Sequence, residues 1–478
     1  MNKTREAIKS SQSEILRGTR QIASLETQLT SLTNEPSSSG VAELGSLQSL
    51  VRSQKNLIQE LQVRIKQEQS NSESLKRELQ SIRDNELLLE EQLADVRFKK
   101  DNLQEASIEK MRHWLRVHQT RRTGLVVSYE GDDSLRDWGF TYDQALACLV
   151  FLKAGDVKRA ENVLNFFLEK AANSDGLFYN AYCVKSGVPC EYIVHSGPNA
   201  WIGIAACQYM KKTGDYKFMP LAVNIARGLI DLQLDAADGS IKGGPYVEWI
   251  STEHNLDAYA LFNMLYTLTE EGLYTEAAGR SLAWLKSIGY NRPEGRLMRG
   301  KGDATIATDT FSWAVAAIGP ELLWDNQMNP DGIMEFAESE CKVTTTFVRP
   351  EKRSVRITGF DFSKPANLGR GGIVSTEWTG QMIVSMKIMA EYYKNKGDKE
   401  KEKIFASKAD YYLTQLGKMV ICSPSPTGQG EGCLPYASLD NVDTGHGWRV
   451  AKGSRTGSVS GTCYYIFAYD GYNPLSLD

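Results

Sequence analysis

The sequence predicts an all-α protein, an (α/α)6 toroid of six helical hairpins preceded by an N-terminal coiled coil. Three observations lead to this prediction. The first hundred residues repeat apolar side chains every seven positions, and the remainder contains six similar helix openings. Between those openings lie helices of a different, more charged type.

The heptad repeat is regular enough to indicate a coiled coil. Ile8, Ile15, Ile22 and Leu29 are spaced by seven residues, and the pattern resumes after Pro36 for nine heptads. Apolar residues sustained at two positions of each heptad are typical of paired helices.

We therefore divide this region into a short coiled-coil helix (1–35), a linker (36–43) and a long coiled-coil helix (44–110). The repeat is compatible with a homo-oligomer or another coiled-coil partner bound through residues 44–103, which we favour. It is also compatible with an intramolecular hairpin that folds back at Pro36.

Residues 111–478 contain an internal repeat. Six segments open with polar residues and continue as apolar helix, and they begin at residues 141, 195, 253, 309, 376 and 460. A helix that is apolar on all sides is buried, whereas one with a charged stripe lies at the surface. Six buried helices that alternate with surface helices describe an (α/α)6 toroid, since long-period repeats indicate repeat architectures. A β-rich stretch near 341–362 breaks the period and is predicted to be an insertion.

These features resemble the six-hairpin glycosidase superfamily. The matching pieces are the six inner-helix starts, the loops Asp175-Gly176 and Asp238-Gly239, and the closing stretch from Tyr464 to Pro474. The resemblance implies an (α/α)6 toroid with a funnel-like cleft, into which the loops before the inner helices converge.

Composition excludes several classes of partner. With a net charge of −4, the chain has no basic field for nucleic acid or anionic lipid. It contains no apolar run of about 20 residues that would span a membrane. The N-terminus lacks a signal-peptide pattern, so we expect a cytoplasmic protein, or an exported one if Met1 is not the native start. We expect no metal and no cofactor.

The helix openings carry the candidate active-site residues. Glycoside hydrolysis needs one protonated carboxyl group and one ionised carboxylate. Glu253 and Asp257 lie on one face of a helix, so their charges repel and one is expected to keep its proton. We predict Glu253 as the acid, and Asp143 or Glu377 as the base across the funnel, although a helix-capping role is the plainer interpretation of any single acid here.

Aromatic and polar residues near the openings are candidates for substrate binding. Those predicted to contact a sugar are Tyr142, Tyr179, Tyr182, Asn199, Trp201, Tyr246, Trp249, Asn255, Arg299, Asp309, Trp313 and Trp378. Aromatic rings supply flat platforms with polar edges, which suits sugars. For Arg299, pairing with Asp303 is an equally good interpretation.

The sequence predicts a glycoside hydrolase-like protein acting on an oligo- or polysaccharide, with two alternatives. A sugar epimerase or isomerase would use His195 and His254 as acid and base, because both open inner helices. The second alternative is a non-catalytic glycan-binding or scaffold protein that is oligomerised by its coiled coil. Such a protein would not need carboxylates at most of the helix openings.

Overall fold

The computed structural model describes residues 2–34, 40–101, 107–350, 354–421, 432–453 and 456–477. The chain divides into two compact units, Met1–Lys99 and Lys100–Asp478. Helices dominate both units. Within the described residues, no helix is both long and apolar enough to cross a membrane.

The first unit is a helical hairpin. Helix α1 (Asn2–Asn34) runs antiparallel to the first half of α2 (Gly40–Asp101), so that Gly18 contacts Ile58 and Glu26 pairs with Lys55 at 2.8 Å. A small apolar core between the two helices consists of Ile22, Leu25 and Val51. The first half of α2 is therefore paired with α1 of the same chain, which is the intramolecular hairpin. The intermolecular partner that we favoured is not needed for this half of α2.

The helix boundaries differ slightly from the predicted ones. Helix α2 already begins at Gly40, inside the predicted linker 36–43, and it ends at Asp101 rather than at residue 110. Residues 35–39 and 102–106 lie outside the described residues, and a separate helix begins at Ile108.

The second unit is built from helical hairpins. In chain order its helices are α3 (Ile108–His118), α4 (Thr141–Lys153), α5 (Val157–Glu169), α6 (Ser196–Thr213), α7 (Met219–Leu234), α8 (Thr252–Thr269), α9 (Gly272–Trp284), α10 (Thr308–Ile318), α11 (Pro320–Asp325), α12 (Pro330–Cys341), α13 (Thr376–Lys396), α14 (Lys399–Gly417) and α15 (Val459–Asp470). Short 3-10 turns occur at Asp133–Leu135 and Pro365–Asn367, and a π turn at Leu285–Gly289 extends α9.

The inner helices form a closed ring. Helices α4, α6, α8, α10, α13 and α15 each contact the next, and α15 contacts α4. Helices α5, α7, α9, α12 and α14 pack outside them, and α3 lies against α15 and α4 as the sixth outer helix. The predicted (α/α)6 toroid is confirmed, and its first outer helix precedes the first inner helix in the chain.

Burial explains this division between inner and outer helices. Along α4 every residue from Asp143 to Leu152 is buried, whereas α5 buries one stripe that includes Val163 and Phe167. The inner helices therefore meet neighbours on all sides, as their nearly continuous apolar sequences require.

Short strands connect the helices. They are Tyr129–Glu130, Trp138–Phe140, Asn173–Ser174, Leu177–Phe178, Ala181–Cys183, Pro189–Glu191, Tyr290–Asn291, Arg296–Leu297, Lys342–Val348, Ser354–Phe360, Leu434–Pro435 and Gly457–Ser458. The longest pair, Lys342–Val348 with Ser354–Phe360, forms an antiparallel hairpin between α12 and α13. This hairpin occupies the stretch for which the sequence predicts a β-rich insertion.

Candidate active site

The N-terminal turns of the inner helices meet at one end of the ring. Ser251, Ser375 and Ser458 cap α8, α13 and α15, each accepting a hydrogen bond from a backbone N–H of the first turn. A polar residue four positions after the cap then binds the backbone of the preceding segment in five of the six inner helices. These residues are Gln144, Asn199, Asn255, Thr379 and Thr462.

Asn255 illustrates this anchoring role. Its Oδ1 accepts a hydrogen bond from the Ile241 N–H at 2.8 Å, and its Nδ2 donates to the carbonyls of Ile241 and Ser251 at 3.2 and 2.8 Å. Its side chain is completely buried. The anchor therefore fixes the loop that leads into α8.

We expect Asn255→Ala to destabilise the fold by about 1–3 kcal/mol, because the buried Ile241 N–H loses its partner. Urea unfolding followed by circular dichroism measures this change. Asn263→Ala on the same helix is the matched control, since its amide donates only within α8, to the Tyr259 carbonyl at 3.0 Å. Equal losses in both variants would contradict the anchoring role.

Glu253 and Asp309 form a hydrogen-bonded pair of carboxyl groups at the openings of α8 and α10. Desolvation raises the pKa of Glu253 well above its usual value, and the negative charges of Asp309 and Asp257 raise it further. Desolvation also raises the pKa of Asp309, to about 6, while the hydrogen bond from Glu253 opposes the rise. The shared proton therefore belongs to Glu253, and Asp309 accepts the bond.

Asp257 lies behind this pair and is completely buried. Its Oδ1 accepts hydrogen bonds from the indole N–H groups of Trp201 at 2.9 Å and Trp313 at 2.7 Å. Burial raises the pKa of Asp257 well above its usual value. The sequence predicts that the neighbouring charge of Asp257 helps Glu253 to keep its proton, and this charge does raise the pKa of Glu253. The hydrogen bond of Glu253, however, goes to Asp309.

Glu377 opens α13 and is held by three side chains. The Tyr142 hydroxyl donates to its Oε1 at 2.8 Å, Gln381 Nε2 donates at 3.2 Å, and Ser460 contributes a further hydrogen bond. Burial raises the pKa of Glu377 to about 8, and the Tyr142 hydrogen bond opposes this rise. The negative charge of Glu377 also raises the pKa of Glu253, so the two carboxyl groups lie close enough to interact.

Asp143 lies in the first turn of α4, three residues after the N-cap Phe140 and so one position further along its helix than Glu377 is along α13. Its side chain is 3 % exposed and forms a hydrogen bond with Ser128. Burial raises the pKa of Asp143 to about 7. Its charge raises the pKa of Glu377, so the two acids are neighbours.

Two histidines and a tryptophan lie beside the acids. His195 and His254 have ring centroids 6.1 Å apart, and Trp249 packs against both at 5.1 and 5.3 Å. The Nδ1 of His254 lies 2.9 Å from the Ser196 hydroxyl, and desolvation lowers the pKa of His254 to about 3. His254 is therefore neutral at physiological pH.

Arg299 pairs with Asp303 at 3.0 Å and donates to the His446 carbonyl at 3.3 Å. Its positive charge lowers the pKa of Asp309. Arg299 therefore forms the predicted ion pair with Asp303, and it also influences the pKa of one member of the Glu253–Asp309 pair.

Exposed aromatic residues lie in the segments that precede α6 and α8. Tyr246 is 76 % exposed, with its hydroxyl 3.1 Å from Asp175, and Trp249 is 46 % exposed. Tyr179 packs against the exposed ring of Tyr192.

Four predicted substrate-binding residues have other partners. Tyr182 is buried between Phe166 and Phe167 with its hydroxyl bound to the Ala172 carbonyl, and Trp378 is packed against Phe362 and His446. Asn199 and Asn255 are the backbone anchors described above. We therefore leave these four out of the proposed binding surface.

The sequence analysis missed several residues around Glu377. Tyr436 and Tyr464 are buried beside it, and the negative charge of Glu377 raises the pKa of both hydroxyls beyond the effect of burial. Tyr464 and Ser460 belong to the sixth helix opening, which has no carboxylate and so gave no chemical signal. Tyr436 comes from an irregular segment with no repeat pattern.

A cavity of about 830 Å³ lies at the opposite end of the ring, between the last turns of α8, α10 and α13 and the segment from Gly471 to Leu477. Its lining includes Tyr259, Lys387 and Tyr472 but none of the five clustered acids. The clustered acids therefore lie at the other end of the ring, where the inner helices begin.

The closed ring of inner helices and the outer helices around it define the fold as an (α/α)6 toroid. Solved structures with this fold include a glycosidase variant in complex with glucose, at 11 % identity and a TM-score of 0.52, covering 77 % of this chain and 96 % of that one. A cellobiose 2-epimerase from Bacillus thermoamylovorans matches at 12 % identity and a TM-score of 0.53, over 76 % of this chain and 98 % of that one. A D-mannose isomerase matches at 10 % identity and a TM-score of 0.53, over 75 % and 96 %.

Comparisons of sequence add nothing to these structural likenesses. No protein-family profile matches the chain, and no curated protein matches it. The structural neighbours share the fold at low sequence identity, so they establish the architecture. The reaction has to be inferred from the residues of the candidate site.

Proposed function

We propose that this protein is a glycoside hydrolase that cleaves an oligo- or polysaccharide with Glu253 as general acid. The observation that carries the proposal is the hydrogen-bonded Glu253–Asp309 pair, in which burial and the charge of Asp309 raise the pKa of Glu253 well above its usual value and so favour its protonated form. A glycosidic oxygen needs such a proton in order to leave. Glu253 is partly exposed, so its proton is accessible from the cleft.

Glu377 is the better candidate for the base. Its carboxylate is oriented by Tyr142, Gln381 and Ser460, and its charge acts on Glu253. Asp143 lies beside Glu377 with Ser128 as its hydrogen-bond partner. In this arrangement Glu377 takes a proton from the attacking water once it is ionised, above its pKa of about 8. The charge of Asp143 raises the pKa of Glu377, and the charge of Asp257 raises the pKa of Glu253.

The substrate is expected to be uncharged at the cleaved unit. Five carboxyl groups surround the site, and the positive charge that acts on Asp309 comes from Arg299. A carboxylate on the sugar would raise the pKa of Glu377 further and so hinder ionisation of the base. The exposed rings of Tyr246 and Trp249 offer stacking surfaces for further sugar units.

The test is release of reducing sugar from neutral α- and β-glucans, mannans and their oligosaccharides, with the anomer of the first product followed by NMR. Release of an inverted anomer supports the acid–base pair proposed here. If no neutral glycan is hydrolysed while the protein remains folded, the proposal fails.

We expect Tyr142→Phe to shift the acidic limb of the pH profile of kcat/KM to higher pH. The limb marks ionisation of the base, and the Tyr142 hydrogen bond lowers the pKa of Glu377. Its loss raises that pKa, so a higher pH is needed to ionise Glu377. Tyr246→Phe is the control, because its hydroxyl is bound to Asp175 away from the acids. An unmoved limb in Tyr142→Phe would argue against Glu377 as the base.

A sugar epimerase is the second candidate, favoured by the neighbouring rings of His195 and His254. Both histidines come from adjacent helices on one wall, whereas two-base epimerisation requires groups on opposite faces of one carbon. Exchange of the C2 hydrogen of cellobiose or mannose in deuterated water distinguishes this reaction from hydrolysis. Exchange abolished by His254→Ala, without reducing-sugar release, would replace the hydrolase proposal.

A further inference from the structure

The apolar seam of α2 is covered over only part of its length. Up to Ser72, shielded residues recur along α2 at coiled-coil spacing: Leu47, Val51, Gln54, Ile58, Leu61, Ile65, Glu68 and Ser72. The same spacing continues with exposed residues, namely Leu75 at 56 %, Leu79 at 41 %, Ile82 at 57 % and Leu89 at 65 %. We call these four residues the distal seam.

Helix length explains where the covering stops. Helix α1 has 33 residues and α2 has 62, so at 1.5 Å per residue they extend about 50 Å and about 93 Å. Paired antiparallel from the hairpin turn, α1 therefore reaches its N-terminus near residue 72 of α2. The heptad pattern of the sequence nevertheless continues to Leu93 and Val96.

We propose that the distal seam pairs in parallel and in register with the distal seam of a second copy of this chain. The seam is continuous with the one that α1 already fills, so the surface has the shape and spacing that accept a heptad helix. Four large apolar side chains exposed in one stripe favour burial against such a partner. An identical stripe on a second copy supplies matching apolar side chains at the layers of Leu75, Leu79, Ile82 and Leu89.

The flanking charges favour the parallel orientation. Glu78 immediately precedes seam position Leu79, and Arg83 immediately follows seam position Ile82. In a parallel two-stranded coiled coil, residues five positions apart on these flanks face each other across the interface, so Glu78 of each copy meets Arg83 of the other. An antiparallel pairing that matches Leu79 with Ile82 would instead bring Lys76 close to Arg83.

One seam position works against the pairing. Glu86 lies between Ile82 and Leu89, so a parallel dimer places two like charges opposite each other. The contact is therefore expected to be reversible, with an affinity in the micromolar range set by the apolar layers on either side.

The test is the mass of the full-length chain by light scattering across a concentration series. We expect wild type to approach twice the monomer mass, and the triple variant Leu75→Ser, Ile82→Ser, Leu89→Ser to remain monomeric, with dimerisation weakened at least about a hundred-fold. Leu57→Ser with Val63→Ser is the matched control, since these residues are 48 % and 61 % exposed but lie off the seam.

Orientation is tested separately. Ile82→Cys should form an intermolecular disulfide under mild oxidation, since only a parallel, in-register pair brings the two positions together. Glu78→Arg should weaken the dimer, and adding Arg83→Glu should restore it. A monomeric wild type, a triple variant that still dimerises, or an Ile82→Cys protein that does not cross-link would each overturn the proposal.

Discussion

Glu253→Gln is expected to lower the rate of glycan hydrolysis by about 10²–10⁴-fold, because an amide has no proton to give the departing oxygen. The substitution keeps the size of the side chain and removes one of the crowded acids, so the fold should not be weakened. Initial rates of reducing-sugar release, with thermal melts of the same samples, measure the two effects together.

The leaving group provides the sharper part of this experiment. An aryl glycoside with a strongly acidic phenol departs without protonation, so Glu253→Gln should retain most of its activity on that substrate. The loss should then grow as the leaving group becomes more basic. Glu377→Gln is the matched comparison, since loss of the base slows substrates of every leaving group. An equal loss of Glu253→Gln activity on all leaving groups would contradict its role as the acid.

Asp143→Asn is expected to stabilise the protein at pH 8 and to have almost no effect near pH 4. Burial raises the pKa of Asp143 from 3.8 to about 7, so the folded state holds a proton that the unfolded state releases. The stability associated with this group is therefore fully present below pH 4, and it is lost as the pH rises from about 4 to about 7. An amide avoids that loss.

The size of the effect follows from the shift. Three pKa units correspond to about 4 kcal/mol, which is an upper limit because the buried site can relax around the charge. Urea unfolding at several pH values between 4 and 8.5 measures it. Asp231→Asn is the control, since Asp231 is an exposed residue of α7. A variant that is no more stable than wild type at pH 8 would show that Asp143 is not desolvated.

The clustered acids thus weaken the fold at neutral pH. Asp143, Asp309 and Glu377 all have a raised pKa because the inner helices enclose them. Burying several acids together destabilises the folded state, and clusters of strongly shifted pKa values occur mainly at functional sites. This is a reason to treat the cluster as a candidate functional site.

Local sequence was sufficient to predict the architecture. The contrast between apolar and amphipathic helices depends on which side chains recur within one element, and every inner helix begins within one residue of its predicted opening. The acids Asp143, Glu253 and Glu377 were also identified from their positions at helix starts. Helix periodicity and N-terminal chemistry are local properties, so a single sequence displays them.

Tertiary structure alone decided which groups are paired. Glu253 is bonded to Asp309 rather than to Asp257, because ring closure brings α8 and α10 side by side and turns Asp257 towards two tryptophans. In the N-terminal region the heptad repeat predicted a partner helix but did not specify its source. A heptad pattern predicts an apolar seam, but it does not say which helix covers it. Chain connectivity and helix length determine that α1 covers the seam up to Ser72 and leaves the distal seam exposed.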